Sequence, residues 1–220
     1  KGGYHSYMSK GSILEEKYFS VKEAVFIEDF NHLNYENINT VYVAVGPRNI
    51  SSIASKVEGI KAPIILLEND DKTVPLLCGL INQDNVYFAI PDVITSNTAS
   101  EKHLKNDELA VHTENGVFFV DERAKAAIGD INYCSQKELE HQWTAKLFLH
   151  NTPHCIAAYL GSLRGTLYVH DPMKHEKSRN VVEGAMNEML KTLKLKWDIS
   201  HEFLDWYAAK ELSRFSNENL

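Results

Sequence analysis

The first half of the chain alternates β-rich runs with helix-like segments, and this alternation limits the possible folds more than any other feature. The β-rich runs cover residues 24–28, 40–45, 63–67 and 86–90. Helical segments are expected at about 50–57 and 71–80, between the last three runs. Residues 63–67 are apolar on both alternating faces, as in a strand buried within a parallel sheet. The pattern predicts the later half of a doubly wound α/β sheet, in which ligands bind at the carboxyl ends of the strands.

The second half of the chain has a different pattern. Residues 108–113 and 116–120 are β-rich and flank Asn115-Gly116, a dipeptide typical of tight hairpin turns. From about residue 136 onward the composition favours helix, and the apolar positions expected to face a core are Val181, Ala185, Met189, Leu193, Phe203, Trp206 and Leu212. We therefore expect an α/β part followed by a mainly α part. The predicted regions are a partial dinucleotide-binding domain (1–100), a connecting β-hairpin segment (101–135) and a helical substrate and catalytic domain (136–220).

One run in the helical half carries candidate chemistry. Lys146, Asn151 and His154 have K-x4-N-x2-H spacing. On one continuous α-helix, steps of about 100° would bring the three side chains within an arc of about 140°. A cation, an amide and an imidazole on one face can exchange a proton with a substrate oxygen and stabilise charge on it, as ketone reduction by hydride requires. The structural alternative is a solvent-facing helix that carries three polar residues.

Pro153 lies inside this run and conflicts with a continuous α-helix. Proline has no N–H to donate, and its ring clashes with the preceding helical turn. A second interpretation is that Thr152 caps a new helix with Pro153 at its first position. Lys146 and His154 would then lie on different helices that meet at a bend. The sequence leaves both interpretations open.

Composition narrows the class of protein. The 220 residues are 44% hydrophobic and carry a formal net charge of −7, which fits a globular protein and argues against a general nucleic-acid surface. The apolar runs are too short to span a bilayer, and the first residues do not form a secretory signal. Cys78, Cys134 and Cys155 show no close pairing, which predicts free thiols in a reducing, cytoplasmic compartment. The ten histidines show no metal-ligand spacing, so we expect metal-independent chemistry.

The run KLFLHNTPHCIAAYLGSLRG at 146–165 resembles the signature of the polyol-specific long-chain dehydrogenases, the mannitol dehydrogenase family. Within that family it is most similar to the mannitol-1-phosphate 5-dehydrogenases. The family's patterns are also matched by VAVGP at 43–47, IILLEN at 64–69, VVEGAM at 181–186 and RFSN at 214–217. The resemblance runs from about residue 40 to the end and is weaker between about 70 and 140. It implies hydride transfer between NAD, or NADP, and a polyol or sugar phosphate such as mannitol 1-phosphate and fructose 6-phosphate.

The resemblance also implies roles for individual residues. Lys146 would exchange the proton with the substrate oxygen, and Asn69 and Asn151 would hydrogen-bond that oxygen. His154 would bind a substrate hydroxyl, and Asp92 would belong to the substrate site. The positions expected to contact the cofactor are Val45, Gly46, Pro47 and Asn69. A competing interpretation of Asn69 is that residues 68–71 form a polar turn at a strand end.

Several features depart from the family pattern. Residues 90–94, Ile-Pro-Asp-Val-Ile, stand where the family usually has V-D-R-I, so Asp92 is kept and an arginine is lost. This loss leaves open whether the substrate carries a phosphate. The glycine-rich G-x-G-x-x-G turn of dinucleotide-binding domains does not occur, and residues 1–11 contain no apolar strand. We expect an internal fragment of a longer enzyme that binds the cofactor weakly or not at all by itself.

Two kinds of alternative function remain open at this stage. Within the family, the alternatives are a mannitol 2-dehydrogenase and a reductase of tagaturonate or fructuronate. From another class, the alternative is a non-catalytic relative that keeps the fold as a binding module. A basic cluster for a substrate phosphate would separate the first set, and the full gene's glycine-rich loop, present or absent, would help to separate the second.

Overall fold

The computed structural model describes residues 2–10, 13–21, 34–68, 70–96, 100–124 and 131–218. The expected strand at 24–28 and the candidate residue Asn69 lie outside these ranges. The strands within them are β1 (Gly3–Lys10), β2 (Ile13–Ser20), β3 (Val41–Val43), β4 (Ile64–Leu66), β5 (Val86–Asp92), β6 (Thr95–Ser96), β7 (Val111–Glu114), β8 (Val117–Asp121) and β9 (Ile131–Cys134).

The α-helices within the same ranges are α1 (Ile50–Val57), α2 (Thr73–Ile81), α3 (Glu101–Asn106), α4 (Gln136–Ala145), α5 (Thr152–Arg164), α6 (His170–Met173), α7 (Glu176–Lys196) and α8 (His201–Phe215). A π-helical segment, Lys146–Asn151, lies between α4 and α5. The chain is therefore α/β followed by mainly α, as the sequence pattern predicts.

A five-stranded sheet with the order β3-β4-β5-β8-β9 forms the α/β part. Its first three strands are parallel, and β8 runs antiparallel to β5. The apolar character of β4 on both faces is explained by two cores. Ile64 and Leu66 pack in the same core as α1 and α2, whereas Ile65 packs with the β8 residue Val120 on the other side. The predicted alternation over residues 40–90, with α1 at 50–57, is confirmed.

The predicted hairpin around Asn115-Gly116 is wrong. β7 belongs to a four-stranded sheet with the order β2-β1-β7-β6, whereas β8 belongs to the five-stranded sheet. Gly116 has no positive φ, so it does not form the turn that the dipeptide suggested. Its lack of a side chain instead admits Val93, whose Cα would lie 2.8 Å from a Cβ added at position 116.

The start of the chain also differs from expectation. Residues 3–10, in which we expected no apolar strand, form β1, which pairs antiparallel with β2 and parallel with β7. Tyr7 is buried in this sheet, and polar side chains fill most of the other β1 positions. Strand pairing therefore crosses the expected boundary at residue 100. Residues 101–135 contribute to both sheets and do not form a separate connecting hairpin, while the division of the chain into domains stays a prediction.

The helical part packs around one core, and the predicted inward faces of α7 and α8 are confirmed only in part. Four predicted residues pack in or against this core, namely Met189, Leu193, Phe203 and Leu212, whereas Val181 and Trp206 are exposed. In α7 the buried apolar residues are Val182, Met186 and Leu193, while Val181 is exposed. In α8 the buried stripe includes the charged residues Glu211 and Arg214, while Trp206 is exposed. The pattern of apolar residues does not identify such a face completely, because charged residues in a sequence are interpreted as solvent-exposed even where they are buried.

Among the described residues, no helix combines the length and the apolar character needed to cross a membrane. All three cysteines are free, with Cys134 buried and Cys155 exposed. Burial raises the pKa of the Cys78 and Cys134 thiols above the ordinary value. These two thiols are therefore held in their neutral form at neutral pH.

Because Gly116 lies in close contact with Val93, alanine should destabilise the protein at position 116 but not at a glycine with open space around it. Gly116→Ala should lower the free energy of unfolding by about 1–3 kcal/mol, because the new methyl group overlaps the Val93 backbone. Gly184→Ala is the matched control, since Gly184 is exposed in the interior of α7 with open space around it. This change should stabilise the protein by about 0.5–1 kcal/mol. Urea unfolding of both variants provides the measurement, and equal effects would contradict the packing described here.

Candidate active site

The carboxyl ends of β3 and β4 are joined by a buried carboxylate. Glu68, which is 5% exposed, accepts hydrogen bonds from the backbone N–H groups of Val45 at 2.8 Å and Gly46 at 3.0 Å. Gly46 has a φ of 85°, a conformation that glycine adopts without strain. Pro47 then begins a short 3₁₀ turn that leads into α1. The predicted cofactor segment thus forms a fixed turn at the edge of the sheet where ligands bind in doubly wound folds.

Lys146 reaches this same edge from the helical part. Its side chain is buried, and Nζ donates a hydrogen bond to the backbone carbonyl of Pro91 in β5 at 3.0 Å. Burial lowers the pKa of the Lys146 ammonium below its ordinary value, and the nearby Arg214 lowers it further, against the opposite effect of Asp92. A buried lysine with a lowered pKa at the carboxyl end of a strand is suited to proton exchange.

Pro153 is accommodated by the π-helical segment. Asn151 and Thr152 both have helical backbone angles, so α4, the π segment and α5 form one uninterrupted helix from Gln136 to Arg164. The Thr152 hydroxyl donates to the carbonyl of Leu147, five residues earlier, at 3.0 Å. The interpretation that Thr152 caps a new helix is wrong, because the wider π turn avoids the clash that an α-helical turn would impose on proline.

The same segment sets the positions of the other two motif residues. Lys146 and Asn151 are its first and last residues, and His154 follows in the first turn of α5. Asn151 is half-buried, and none of the described residues hydrogen-bonds its side chain. Burial lowers the pKa of His154, and the adjacent His150 lowers it further. His154 is therefore a neutral imidazole at neutral pH, with one donor and one acceptor nitrogen.

Arg214 of α8 organises a buried set of carboxylates beside these residues. One guanidinium nitrogen, Nη1, lies 2.7 Å from both Asp92 Oδ1 and Glu211 Oε1. The opposite side of the guanidinium binds Glu114, with Nε 3.0 Å from Oε2 and Nη2 paired with Oε1. Burial alone would lower the pKa of Arg214, but these carboxylates outweigh it and raise the pKa. Arg214 therefore stays charged and joins the ends of β5 and β7 to α8.

Lys210 completes the group that we call the α8 charge cluster, consisting of Asp92, Glu114, Lys210, Glu211 and Arg214. Lys210 pairs with Asp92 Oδ2, and its Nζ lies 3.5 Å from Glu211 Oε1. Burial would raise the pKa of Asp92, but Lys210 and Arg214 reverse this effect and hold it below the ordinary value. With Lys146 included, three cations face three carboxylates, so the buried charges balance.

The predicted catalytic and substrate-binding residues thus fall into three groups. Lys146, Asn151 and His154 lie along one helix, as expected, while Asn69 lies outside the described residues. Asp92 is present at the site, but both of its carboxylate oxygens are bound to cations of α8. These bonds favour a role in positioning for Asp92, and its direct contact with substrate stays a prediction.

Sequence reasoning missed the partners of Asp92. They are Lys210 and Arg214 of α8, 118 and 122 residues away along the chain. A weak signal was present, because Lys210, Glu211 and Arg214 have the spacing of one helical face and Arg214 begins the family-like RFSN run. Across the described ranges, no group of three or more histidine, cysteine, aspartate or glutamate side chains is arranged to hold a metal ion.

The α8 charge cluster predicts that Arg214 is essential for stability. Arg214→Leu should cost about 3–5 kcal/mol of unfolding free energy, because three carboxylates would lose their shared cation inside the protein. Lys137→Ala is the control, because it removes only the exposed ion pair with Asp198. It should leave the free energy of unfolding unchanged within experimental error. Thermal and urea unfolding measure both effects, and an Arg214 variant as stable as the control would refute the cluster's role.

Comparisons with known proteins agree with this geometry. Residues 138–220 match the family model of the mannitol dehydrogenase C-terminal domain. A mannitol-1-phosphate 5-dehydrogenase of Thermoanaerobacter pseudethanolicus is 27% identical, over 99% of this chain and 62% of the relative. Another, from Caldanaerobacter subterraneus subsp. tengcongensis, is 43% identical over 34% of this chain and 19% of the relative. The chain thus spans about 62% of the length of the first relative.

Solved structures support the fold. A D-mandelate dehydrogenase in a ternary complex with NADH and anilino(oxo)acetate gives a TM-score of 0.57 at 12% identity, covering 98% of this chain and 67% of that protein. At this identity the likeness shows a shared Rossmann-like fold and nothing about the substrate. The resemblance to the polyol-specific long-chain dehydrogenases is therefore confirmed, with residues 138–220 matching the model of the mannitol dehydrogenase C-terminal domain.

Proposed function

We propose that this protein is a nicotinamide-dependent dehydrogenase that interconverts mannitol 1-phosphate and fructose 6-phosphate. The observation that carries the proposal is the buried Lys146, with a lowered pKa, at the carboxyl end of β5 and on one helix with Asn151 and His154. The curated relatives are named for this activity. The free thiols fit the further proposal that the enzyme is cytoplasmic.

The turn at the end of β3 fits a nicotinamide cofactor. Val45 is partly exposed and apolar, and the space around Gly46 is open, with Asn49 Nδ2 at 3.8 Å from an added Cβ. Because Glu68 occupies the N–H groups of Val45 and Gly46, this turn offers the cofactor a surface rather than hydrogen-bond donors. Val45, Gly46 and Pro47 would therefore pass beneath the cofactor, with Asn69 as a further proposed contact. NAD is the proposed cofactor, and it supplies hydride transfer when bound.

Lys146 would act as the general base in the direction of alcohol oxidation. A neutral lysine amine has two N–H groups and one lone pair. One N–H can keep the observed bond to the carbonyl of Pro91, while the lone pair accepts the proton of the substrate hydroxyl. In ketone reduction the ammonium returns that proton to the carbonyl oxygen. The bond to Pro91 thus holds the nitrogen in place in both protonation states.

Asn151 and His154 would complete the proton-exchange site without adding charge. The Asn151 amide, which the described residues leave without a hydrogen bond, would donate to the substrate oxygen as negative charge develops on it. The proposed role of Asn69 is the same. The neutral His154 would bind a hydroxyl farther along the substrate. Because these groups are uncharged, they stabilise the oxygen without raising the energy of the protonated Lys146.

A second candidate is a dehydrogenase of an unphosphorylated polyol or sugar acid. The observation that favours it is the pairing of Lys210 and Arg214 with carboxylates, together with Val93 at the position of the family's arginine. A substrate phosphate bound here would have to compete with Asp92 and Glu114 for these cations. Parallel assays with mannitol, mannitol 1-phosphate, tagaturonate and fructuronate separate the two candidates.

The central assay follows NADH oxidation with fructose 6-phosphate, using the protein together with any residues that flank this chain in its gene. Lys146→Met should lower kcat about 100-fold to 10,000-fold, because it removes the group that exchanges the proton. Lys191→Met is the control, since Lys191 is an exposed lysine of α7. Absence of turnover with every substrate and with both NADH and NADPH would reject an enzymatic function and favour the binding module.

The pH dependence of the reaction provides a further prediction. Oxidation needs the neutral amine, so its rate should rise as pH increases through the pKa of Lys146, which lies below the ordinary value for lysine. Reduction needs the ammonium, so its rate should fall over the same interval. Initial rates in both directions, measured from about pH 6 to 10, test this pattern. If the Lys146→Met variant kept the wild-type profile, another group would be responsible.

A further inference from the structure

His150 is fixed by a carboxylate in the α8 charge cluster. It lies on the π-helical segment, one residue before Asn151, and its Nδ1 is 2.5 Å from Glu211 Oε2. Glu211 is fully buried, and its other oxygen is 2.7 Å from Arg214 Nη1. An Arg–carboxylate bond favours the ionised carboxylate, which accepts hydrogen bonds and donates none. The proton of the His150–Glu211 bond therefore resides on Nδ1.

This assignment leaves the second nitrogen of His150 available to a ligand. With Nδ1 protonated, Nε2 is an acceptor in the neutral ring and a donor in the imidazolium. Among the described residues, none hydrogen-bonds Nε2. The side chain remains 12% exposed, so it is recessed without being sealed from solvent. A carboxylate that orients a histidine whose other nitrogen is free is a common arrangement at binding sites.

His150 lies beside the proposed substrate ligand His154. Their ring centroids are 5.3 Å apart and the rings are tilted by 38°. Phe215 supports both rings, stacking on His154 at 5.7 Å and contacting His150 at 5.6 Å. No described residue hydrogen-bonds the ring nitrogens of His154. The result is a pair of adjacent imidazoles on the helix that carries Asn151.

We infer that His150 is a second hydroxyl-binding residue, which with His154 grips two hydroxyl groups of an extended polyol chain. The inference rests on the proposed function and names a subsite of it. Each hydroxyl group can donate to one nitrogen and accept from another, so a chain with a hydroxyl on every carbon satisfies both rings. A simple secondary alcohol has a single hydroxyl, which would lie at Lys146 and Asn151, so it leaves both rings without a partner. The substrate class is therefore a contiguous polyol or open-chain ketose, selected by the two histidines.

Nitrogen NMR of the protein, labelled with ¹⁵N-histidine and prepared with any residues that flank this chain in its gene, tests the inference by a readout other than activity. His150→Gln and His154→Gln assign the two signals, and His175→Gln is a control because His175 is exposed at the start of α7. In the ligand-free protein, His150 should carry its proton on Nδ1. Mannitol and mannitol 1-phosphate, added with NAD, should shift the Nε2 signals of both His150 and His154. 2-Hexanol should shift neither, and His150→Gln should weaken polyol binding roughly tenfold.

The outcomes separate this inference from the proposed function. Polyol-dependent shifts at both histidines support it. A shift at His154 alone, or a His150 ring without a proton on Nδ1, overturns the second subsite and leaves the dehydrogenase proposal intact. No response of either ring to any polyol overturns the proposed function and the subsite together. Weakened binding in the His175→Gln control would also overturn the assignment, because the effect would then not be specific to the site.

Discussion

The balance of buried charge around Arg214 is the constraint on which the rest of the site depends. A guanidinium that is almost fully buried must be paired, and here it is paired with carboxylates from β5, β7 and α8 itself. The same contacts join both sheets to the helical part. They also surround Lys146, whose pKa is lowered by burial, while Asp92 and Glu211 raise it and Arg214 and Lys210 lower it. Structure and proton chemistry therefore share one set of interactions.

The π-helical segment has a comparable double role. Pro153 cannot be placed inside a regular α-helix without a clash, and the wider turn of Lys146–Asn151 removes that conflict without breaking the helix. The same turn holds Lys146 against the carbonyl of Pro91 and His150 against Glu211. Local backbone irregularity of this kind is common at functional sites. In this protein the π segment lies immediately before the helical turn that contains Pro153.

The sequence predicted those parts of the fold that depend on residues close together in the chain, and it failed for parts that depend on distant residues. Strands β3 to β5 and helices α1 and α2 were predictable because period and turn residues are local properties. The predicted hairpin at Asn115-Gly116 was wrong because β7 and β8 pair with strands that are distant in the sequence. Gly116 makes a close contact with Val93 and does not form a turn. The inward face of α8 was predicted only in part, because its buried stripe also includes Glu211 and Arg214.

The residues of the candidate site also fall into those that the sequence could suggest and those that it could not. Lys146, Asn151 and His154 could be proposed from the sequence because they belong to one short motif with chemically meaningful spacing. Glu114, Glu211 and Arg214 were missed, because a single sequence does not reveal which distant carboxylate neutralises which cation. His150 lies within the same motif but was not among the predicted site residues. Its significance depends on Glu211, which is 61 residues away along the chain.

The most direct test of this account is an NMR titration of Lys146, with the signal assigned by comparison with Lys146→Met. The central claim is that burial beside the α8 charge cluster lowers the pKa of this lysine and prepares it for proton exchange. The account predicts a Lys146 pKa clearly below that of the exposed Lys191 in the same sample. A pKa equal to or above that of Lys191 would show that the nearby carboxylates outweigh burial, and it would contradict the claim.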